Sequence, residues 1–168
     1  MEKNKIRTFA KLGYSHLDMA EIVSRLNKLL ASYYVYFQKL RNFHWNIQGP
    51  DFFHLHRKFM EMYQAVDKNI DEIAGKIRLF GKFPFSTLDE FLAHSLVKEA
   101  SEGLSSVEMV KEILDDIRTI LSLMEECIHS SKELGDYGTE HMMKMCIQRI
   151  ENDHWMLTAW LNEPTITQ

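Results

Sequence analysis

Three side chains, His44, His56 and Asp71, have the types and the spacing of transition-metal ligands. Imidazole and carboxylate groups on neighbouring helices are the ligands with which helix bundles bind such metals. His44 falls near the end of one predicted helix and His56 near the start of the next, so both are expected at one end of a bundle. Met60 and Gly75 interrupt the row where further oxygen ligands would be expected. The row predicts a metal site with an incomplete ligand set.

The spacing of these residues places the predicted site between two chains. An α-helix rises 1.5 Å per residue, so Asp71 lies ~22 Å beyond His56 along the same helix. One ion cannot be bound by both side chains of one chain. A site that uses all three requires two antiparallel copies of this helix. The alternative is that the histidines are hydrogen-bonded core residues and the aspartate is solvated, without a metal.

Composition indicates one ordinary globular domain. The chain has 168 residues, of which 45% are hydrophobic and 26% charged, with a net charge of −4. That length buries a core without disulfides, and the charge gives no overall bias towards nucleic acid or anionic lipid. Cys127 and Cys146 lie in apolar stripes and are expected to be reduced core residues, with a disulfide as the alternative. No secretory or membrane-spanning segment is predicted, which favours a cytoplasmic protein.

Hydrophobic residues at helical spacing predict four long helices and a short one. The first begins at a capping box at Ser15, and the second starts after Gly49 and ends at Gly81. A short helix is predicted over residues 87–97, in a linker of roughly 25 residues. The last helix is predicted from Thr139 to Leu161. A long crossover between the second and third long helices is typical of the ferritin-like four-helix bundle.

A capping box at Ser105 opens the third long helix, which has the clearest apolar stripe in the chain. The stripe consists of Val107, Val110, Ile113, Leu114, Ile117, Leu121, Met124 and Ile128. We expect all of these side chains in the core.

A second, polar stripe runs along the second helix beside its apolar face. With a turn of about 100° per residue, Met60, Asp67, Asp71 and Gly75 fall within about 100° of His56. A stripe beside the core is expected to be half-buried. Carboxylates in such a position need a cation or another subunit as partner.

The sequence resembles the Dps family of mini-ferritins (DNA-binding proteins from starved cells) along essentially its whole length. The resemblance rests on residues 42–46, Asn-Phe-His-Trp-Asn, on residues 49–52, Gly-Pro-Asp-Phe, and on His56. It extends to the short helix in the linker, to the start of the last helix at Gly135, and to residues 154–157, His-Trp-Met-Leu.

This resemblance implies a homo-oligomeric, dodecameric hollow shell. Proteins of the family oxidise ferrous iron at two-fold interfaces, preferably with hydrogen peroxide, and store the ferric mineral inside. The ligands there are two histidines and an aspartate from one chain, and an aspartate and a glutamate from its partner. Carried over by position, the histidines are His44 and His56, and the partner's aspartate corresponds to Asp71.

The remaining two ligand positions depart from the family pattern, because they fall at Met60 and Gly75. Methionine sulfur is a poor ligand for ferric iron, and glycine offers no side chain. We expect weakened iron affinity, altered stoichiometry, or another metal such as zinc. Asp67, one turn before Asp71, is a candidate replacement ligand. Alternatively, Asp67 makes a hydrogen bond at an interface or faces solvent.

Two further expectations come from the family. Glu133, Asp136 and Glu140 flank the turn where the family has its three-fold pores, and carboxylates around such an axis concentrate cations. The alternative is a helix cap at Asp136 and surface charge at the glutamates.

Residues 1–14 are predicted to form a mobile basic arm before a bundle domain over residues 15–162. The basic residues of the arm are Lys3, Lys5, Arg7 and Lys11. Repeated in a shell, they predict salt-dependent, nonspecific binding to DNA and association with the nucleoid.

Two functions remain open on the sequence. The first is an iron-storing ferroxidase that protects DNA from oxidative damage. The second is a shell with a structural or DNA-binding role and no efficient ferroxidase activity. A generic helical interaction module is disfavoured by the spacing of the histidines.

Overall fold

Five helices build the chain in the computed structural model, which describes residues 13–14 and 16–161. They are α1 (His16–Asn46), α2 (Phe52–Leu79), α3 (Leu88–His94), α4 (Ser106–Leu134) and α5 (Tyr137–Trp160). The predicted all-α, ferritin-like four-helix bundle with a short extra helix is confirmed. The basic arm (Lys3, Lys5, Arg7 and Lys11) and the predicted cap at Ser15 lie outside the described residues.

Side-chain caps fix where several helices begin. At both Thr87 and Ser105 a hydroxyl accepts from the backbone of the third helical residue, whose glutamate side chain accepts in return. Gly135 caps the end of α4 and adopts the left-handed conformation, with φ of 66°, that glycine takes without strain. The short helix α3 ends at His94, earlier than residue 97, because Ser95 is extended and its hydroxyl bonds the backbone of Val97.

The order of the helices around the bundle follows from which helices pack against each other. Helix α2 packs against α1 and α5, and α4 also packs against α1 and α5. Therefore α2 and α4, which residues 80–105 join, lie at opposite corners. Their starts lie at the same end, because the Ser106 hydroxyl donates to Asp51 at 3.2 Å. This parallel pair is the ferritin-like arrangement.

Ion pairs connect the neighbouring antiparallel helices near both ends. Between α2 and α5, Lys58 pairs with Asp153 at 2.7 Å and Lys76 with Asp136 at 2.9 Å. Between α1 and α4, Arg25 pairs with Glu126 at 3.2 Å. These pairs tie α2 to α5 and α1 to α4.

A buried charge cluster also joins α1 to α4. The ammonium of Lys39 is 2.8 Å from Asp116 and 3.4 Å from Glu112, and the lysine side chain is only 4% exposed. Burial raises the pKa of Asp116 to about 6, although Lys39 opposes that change.

The predicted core is largely confirmed. Of the α4 stripe, Leu121 and Ile128 are half-buried against the core, and Val107, in the first turn of the helix, is 43% exposed and was wrongly placed. Cys127 and Cys146 are buried free thiols, as expected, and burial raises their pKa values to about 12 and about 11. Within the described part of the chain, no helix is both long and apolar enough to cross a membrane.

Candidate metal centre

The two predicted histidine ligands meet at one end of the bundle. His44 lies in the last turn of α1 and His56 in the second turn of α2, with residues 47–51 between the helices. The loop turns tightly, since Gly49 has φ of 91° and Ile47 is buried. The two rings stack with centroids 3.8 Å apart and planes inclined by 24°.

Each histidine is oriented by the backbone of the other. Nδ1 of His44 lies 2.7 Å from the carbonyl oxygen of His56, and Nδ1 of His56 lies 2.8 Å from the carbonyl oxygen of His44. A carbonyl oxygen only accepts hydrogen bonds, so both Nδ1 atoms carry protons. In a neutral ring protonated at Nδ1, Nε2 carries a free lone pair. This is the tautomer that binds a metal through Nε2.

Aromatic rings flank the histidine pair on both sides. Phe52 stacks on His56 with centroids 4.8 Å apart, and Tyr63 meets His44 edge-on at 5.4 Å. His44 is only 9% exposed, and His56 is half-buried. The rings therefore have little freedom to turn, and their environment is largely apolar.

The rest of the predicted row is separated from the histidines. Asp67, Asp71 and Gly75 are exposed on α2, whereas Met60 is half-buried. The expectation of a half-buried stripe is therefore wrong for the far part of α2 in a single chain, where α1 and α5 cover other sides of the helix. Within the described residues, no group of three or more His, Cys, Asp or Glu side chains lies close enough to hold a metal.

The gap at Gly75 is a missing side chain and not a steric necessity. A Cβ atom placed there would meet no other atom within 4 Å. Nothing in the chain's own packing therefore excludes a carboxylate at this position. The one-chain donor set consists of two imidazoles with Met60 one turn beyond His56.

The candidate pore residues have different environments. Asp136 is buried at the start of α5, where it caps the helix by accepting from the backbone and hydroxyl of Thr139 and also binds Lys76. Burial alone would raise the pKa of Asp136, but the hydrogen bonds from Thr139 and Lys76 hold it below its ordinary value. The cap alternative is thus confirmed for Asp136.

The two candidate pore glutamates lie on either side of that cap. Glu133 is exposed, and Glu140 is half-buried and pairs with Lys144 at 2.6 Å. The hydrogen bond from Lys144 lowers the pKa of Glu140. A pore role for Glu133, Asp136 and Glu140 stays a prediction.

The sequence did not indicate the reciprocal bonds to the backbone or the aromatic neighbours of the histidines. A partial signal was present, because His44 and His56 flank a short loop containing Gly49 and Pro50. The burial of Lys39 was also missed, although it is spaced at helical intervals from Tyr36 and Phe43, which are both buried.

Comparison with known proteins gives a consistent result. A family model described as a ferritin-like domain matches residues 23–165. The chain is 36% identical over 143 residues to DNA protection during starvation protein 2 of Bacillus anthracis, an alignment that covers 85% of this chain and 98% of the relative.

Comparison with solved structures gives the same result for the fold. The Dps protein of Vibrio cholerae O1, described as a ferritin-like diiron-carboxylate protein, is similar with a TM-score of 0.86 and 31% identity, covering 92% of this chain and 96% of that one. Dps from Staphylococcus aureus is similar with a TM-score of 0.82 and 37% identity, covering 84% and 95% of the two chains. The chain belongs to the Dps family of the ferritin-like superfamily.

Proposed function

We propose that this chain is the subunit of a Dps-type shell that binds ferrous iron, oxidises it and stores the ferric product, and so limits oxidative damage to DNA. The observation that carries the proposal is the reciprocal bonding of His44 and His56. It holds two imidazoles side by side with Nε2 free in each. Histidines oriented in this way are typical of metal ligands.

Asp71 of a second copy supplies the third ligand in this proposal. Asp71 is exposed on α2 and lies ~22 Å from His56 along the helix, so it reaches the histidines only in an antiparallel pair of chains. Apolar side chains that a partner would cover support such pairing. Trp45 is 57% exposed, and Leu88 and Leu92 on α3 are 65% and 52% exposed.

With Met60 and Gly75, the site is short of the oxygen ligands that would bridge a pair of ferrous ions. Two nitrogens and one carboxylate come from the histidines and Asp71, while Met60 and Gly75 add no oxygen. Hydrogen peroxide takes up two electrons and two protons to give two waters, so it must oxidise two ferrous ions. Where only one ion is held, the second electron comes from a separate ion, and oxidation is slower than at a paired site.

Asp67 is our proposed compensating ligand. It is exposed one turn before Asp71, on the same side of α2. An iron titration of the Asp67→Ala protein tests this role, with Glu61→Ala, another exposed acidic residue of α2, as the control. Reduced iron occupancy in Asp67→Ala alone is the expected result. Unchanged occupancy assigns Asp67 to solvent or an interface hydrogen bond.

Nonspecific DNA binding by the arm and cation entry through a pore are finer parts of the proposal. Lys3, Lys5, Arg7 and Lys11 supply the positive charge, and several copies in one shell act together through avidity. An arm deletion should weaken a gel shift at low salt, and an unchanged shift would remove the arm from this role. Glu133 and Glu140 are proposed to concentrate cations. The shell would act in the cytoplasm, associated with the nucleoid where it binds DNA.

A second candidate function is a shell that binds DNA or has a structural role without efficient ferroxidase chemistry. The replacement of two expected carboxylates by Met60 and Gly75 favours it. Ferrous oxidation by oxygen or peroxide, compared with a His44→Ala/His56→Ala protein, separates the two functions. Oxidation that depends on the histidines supports the ferroxidase. Equal rates would support the second function. Light scattering after size exclusion measures the assembly, and metal analysis shows whether zinc competes with iron.

A further inference from the structure

The sulfur of Met156, one turn before the end of α5, lies beside two hydrogen-bond donors. The Lys58 ammonium donates to Sδ at 3.4 Å and the Asn152 amide at 3.6 Å. Lys58 belongs to α2 and also pairs with Asp153 at 2.7 Å, which fixes its position beside the sulfur. Thioether sulfur is a weak acceptor, so these contacts contribute little to stability. Their effect is to place a cation and an amide next to a nucleophilic atom.

The same sulfur can be reached from solvent. Met156 is 44% exposed and lines a surface cleft of about 330 Å³ between the start of α2 and the end of α5. Phe53, Lys58 and Trp160 also line this cleft. A water molecule occupies about 30 Å³ in the liquid. Hydrogen peroxide is little larger, so the cleft admits it next to both the sulfur and the Lys58 ammonium.

Met145 on the same helix allows a direct comparison. It is 55% exposed, and no hydrogen bond to its sulfur is found within the described part of the chain. Solvent access alone therefore predicts faster oxidation at Met145. When peroxide oxidises a thioether, the departing oxygen gains negative charge, and a donor placed beside that oxygen stabilises it. The donors therefore predict the opposite order, with Met156 first.

We propose that Met156 is a modification site for hydrogen peroxide, with Lys58 and Asn152 as positioning residues. A lone pair of Sδ forms a bond to one peroxide oxygen, the O–O bond breaks, and the other oxygen leaves as hydroxide while Lys58 donates to it. The proton on the transferred oxygen joins the hydroxide. The products are one methionine sulfoxide and one water, so sulfur is oxidised and peroxide is reduced.

The product suits the same surroundings. A sulfoxide oxygen is a stronger acceptor than a thioether, and Lys58 and Asn152 are already within reach of it. Methionine sulfoxide returns to methionine only through a sulfoxide reductase, so each chain reacts once at this site on its own. The reaction goes beyond the proposed function, because it needs neither iron nor the histidine pair.

Brief treatment of the assembled full-length protein with dilute hydrogen peroxide, in the presence of a metal chelator, tests the proposal. Mass spectrometry of peptides measures the oxidation rates at Met156 and Met145. Met156 should react about threefold faster or more, less than the hundredfold effect of an enclosed donor, because the cleft is open to water. Equal rates, or faster reaction at Met145, would show that exposure alone decides and would overturn the proposal.

Two variants of the same ion pair isolate the role of Lys58. Lys58→Leu removes the ammonium and should abolish the preference for Met156. Any loosening of the packing would expose Met156 further and act in the opposite direction. Asp153→Asn breaks the same pair but keeps the ammonium, so the preference should remain. A preference that survives Lys58→Leu, or that is lost in both variants, would overturn the role of Lys58 as donor.

A final variant separates this site from the proposed iron site. The His44→Ala/His56→Ala protein should keep the preference for Met156, because the reaction does not involve a metal. If the preference is lost there, peroxide activated at the histidines selects Met156, and the proposal is wrong. Loss of iron oxidation in this variant bears only on the proposed function.

Discussion

His44 and His56 each donate a hydrogen bond from Nδ1 to the backbone carbonyl of the other, at 2.7 and 2.8 Å. The last four carbonyls of a helix have no partner within the helix. His44 lies in the last turn of α1, so His56 satisfies one of these groups. The pair therefore both joins α1 to α2 and directs two nitrogen lone pairs away from the backbone.

The first prediction concerns this double role. His56→Phe keeps an aromatic ring beside His44 but cannot donate to its carbonyl. We expect the free energy of unfolding to fall by about 1–3 kcal/mol, which is the cost of leaving a buried acceptor unsatisfied. Urea denaturation at fixed protein concentration measures it.

His54→Phe is the matched control, because His54 is exposed two residues earlier on α2. It should leave both stability and metal binding unchanged. Equal stability of the two variants would show that the carbonyl of His44 does not need its partner.

The second prediction restores the missing carboxylates. A double substitution, Met60→Asp with Gly75→Glu, should bind more iron and oxidise it faster than the wild type, because both expected oxygen ligands return. A Cβ at Gly75 meets open space, so the glutamate enters without a clash. Stopped-flow absorbance of the ferric product measures the rate.

Gly75→Ala separates the backbone effect from the ligand effect. Alanine in a helix interior is more stable than glycine by about 1 kcal/mol, so this variant should be more stable with unchanged iron oxidation. A double variant that oxidises iron no faster than Gly75→Ala would contradict a ferroxidase site at this position.

The third prediction concerns the Lys76–Asp136 pair, in which both side chains are largely buried. Asparagine still caps a helix, so Asp136→Asn removes mainly the charge. Breaking a buried pair leaves an uncompensated cation, and we expect a loss of about 3 kcal/mol at neutral pH.

The pH dependence of this loss has a definite sign. The pKa of Asp136 is lower in the folded chain than its ordinary value of 3.8. The contribution of Asp136 to the free energy of unfolding is therefore complete above pH 3.8. It is lost as the pH falls through the pKa that Asp136 has in the folded chain. The difference between wild type and Asp136→Asn should shrink below about pH 4. A difference that stays constant from neutral to acid pH would show that the charge has no part in it.

The sequence was sufficient for those features that depend on local pattern. Apolar spacing predicted the helices, and the capping box at Ser105 predicted the start of α4. The spacing between His44 and His56 placed both at one end of the bundle. The reciprocal bonds could not be predicted in this way, because they depend on the path of residues 47–51 and on how closely the two helices approach.

The burial of Lys39 is a second feature that could not be predicted from the sequence. A lysine is normally assigned to the surface, yet Lys39 is buried because Asp116 and Glu112 meet it from α4. These partners are more than seventy residues away in the sequence. Local periodicity contains no information on which charges face each other across a bundle.

The buried cluster around Lys39 gives the last prediction, whose sign is opposite to that for Asp136. Burial raises the pKa of Asp116 to about 6 in the folded chain, above the ordinary value of 3.8. The folded state therefore holds its proton more tightly, and the free energy of unfolding should fall as the pH rises from about 4 through about 6. The fall is about 3 kcal/mol, at 1.36 kcal/mol for each unit of pKa difference.

Asp116→Asn should remove this fall, since asparagine does not titrate and its amide oxygen can still accept from Lys39. Urea denaturation at several pH values between 4 and 7 measures the dependence. Asp115→Asn is the matched control: its side chain is 73% exposed on the same helix, so the wild-type pH dependence should persist. If Asp116→Asn keeps the wild-type fall while Asp115→Asn loses it, the titrating group is not the buried carboxylate.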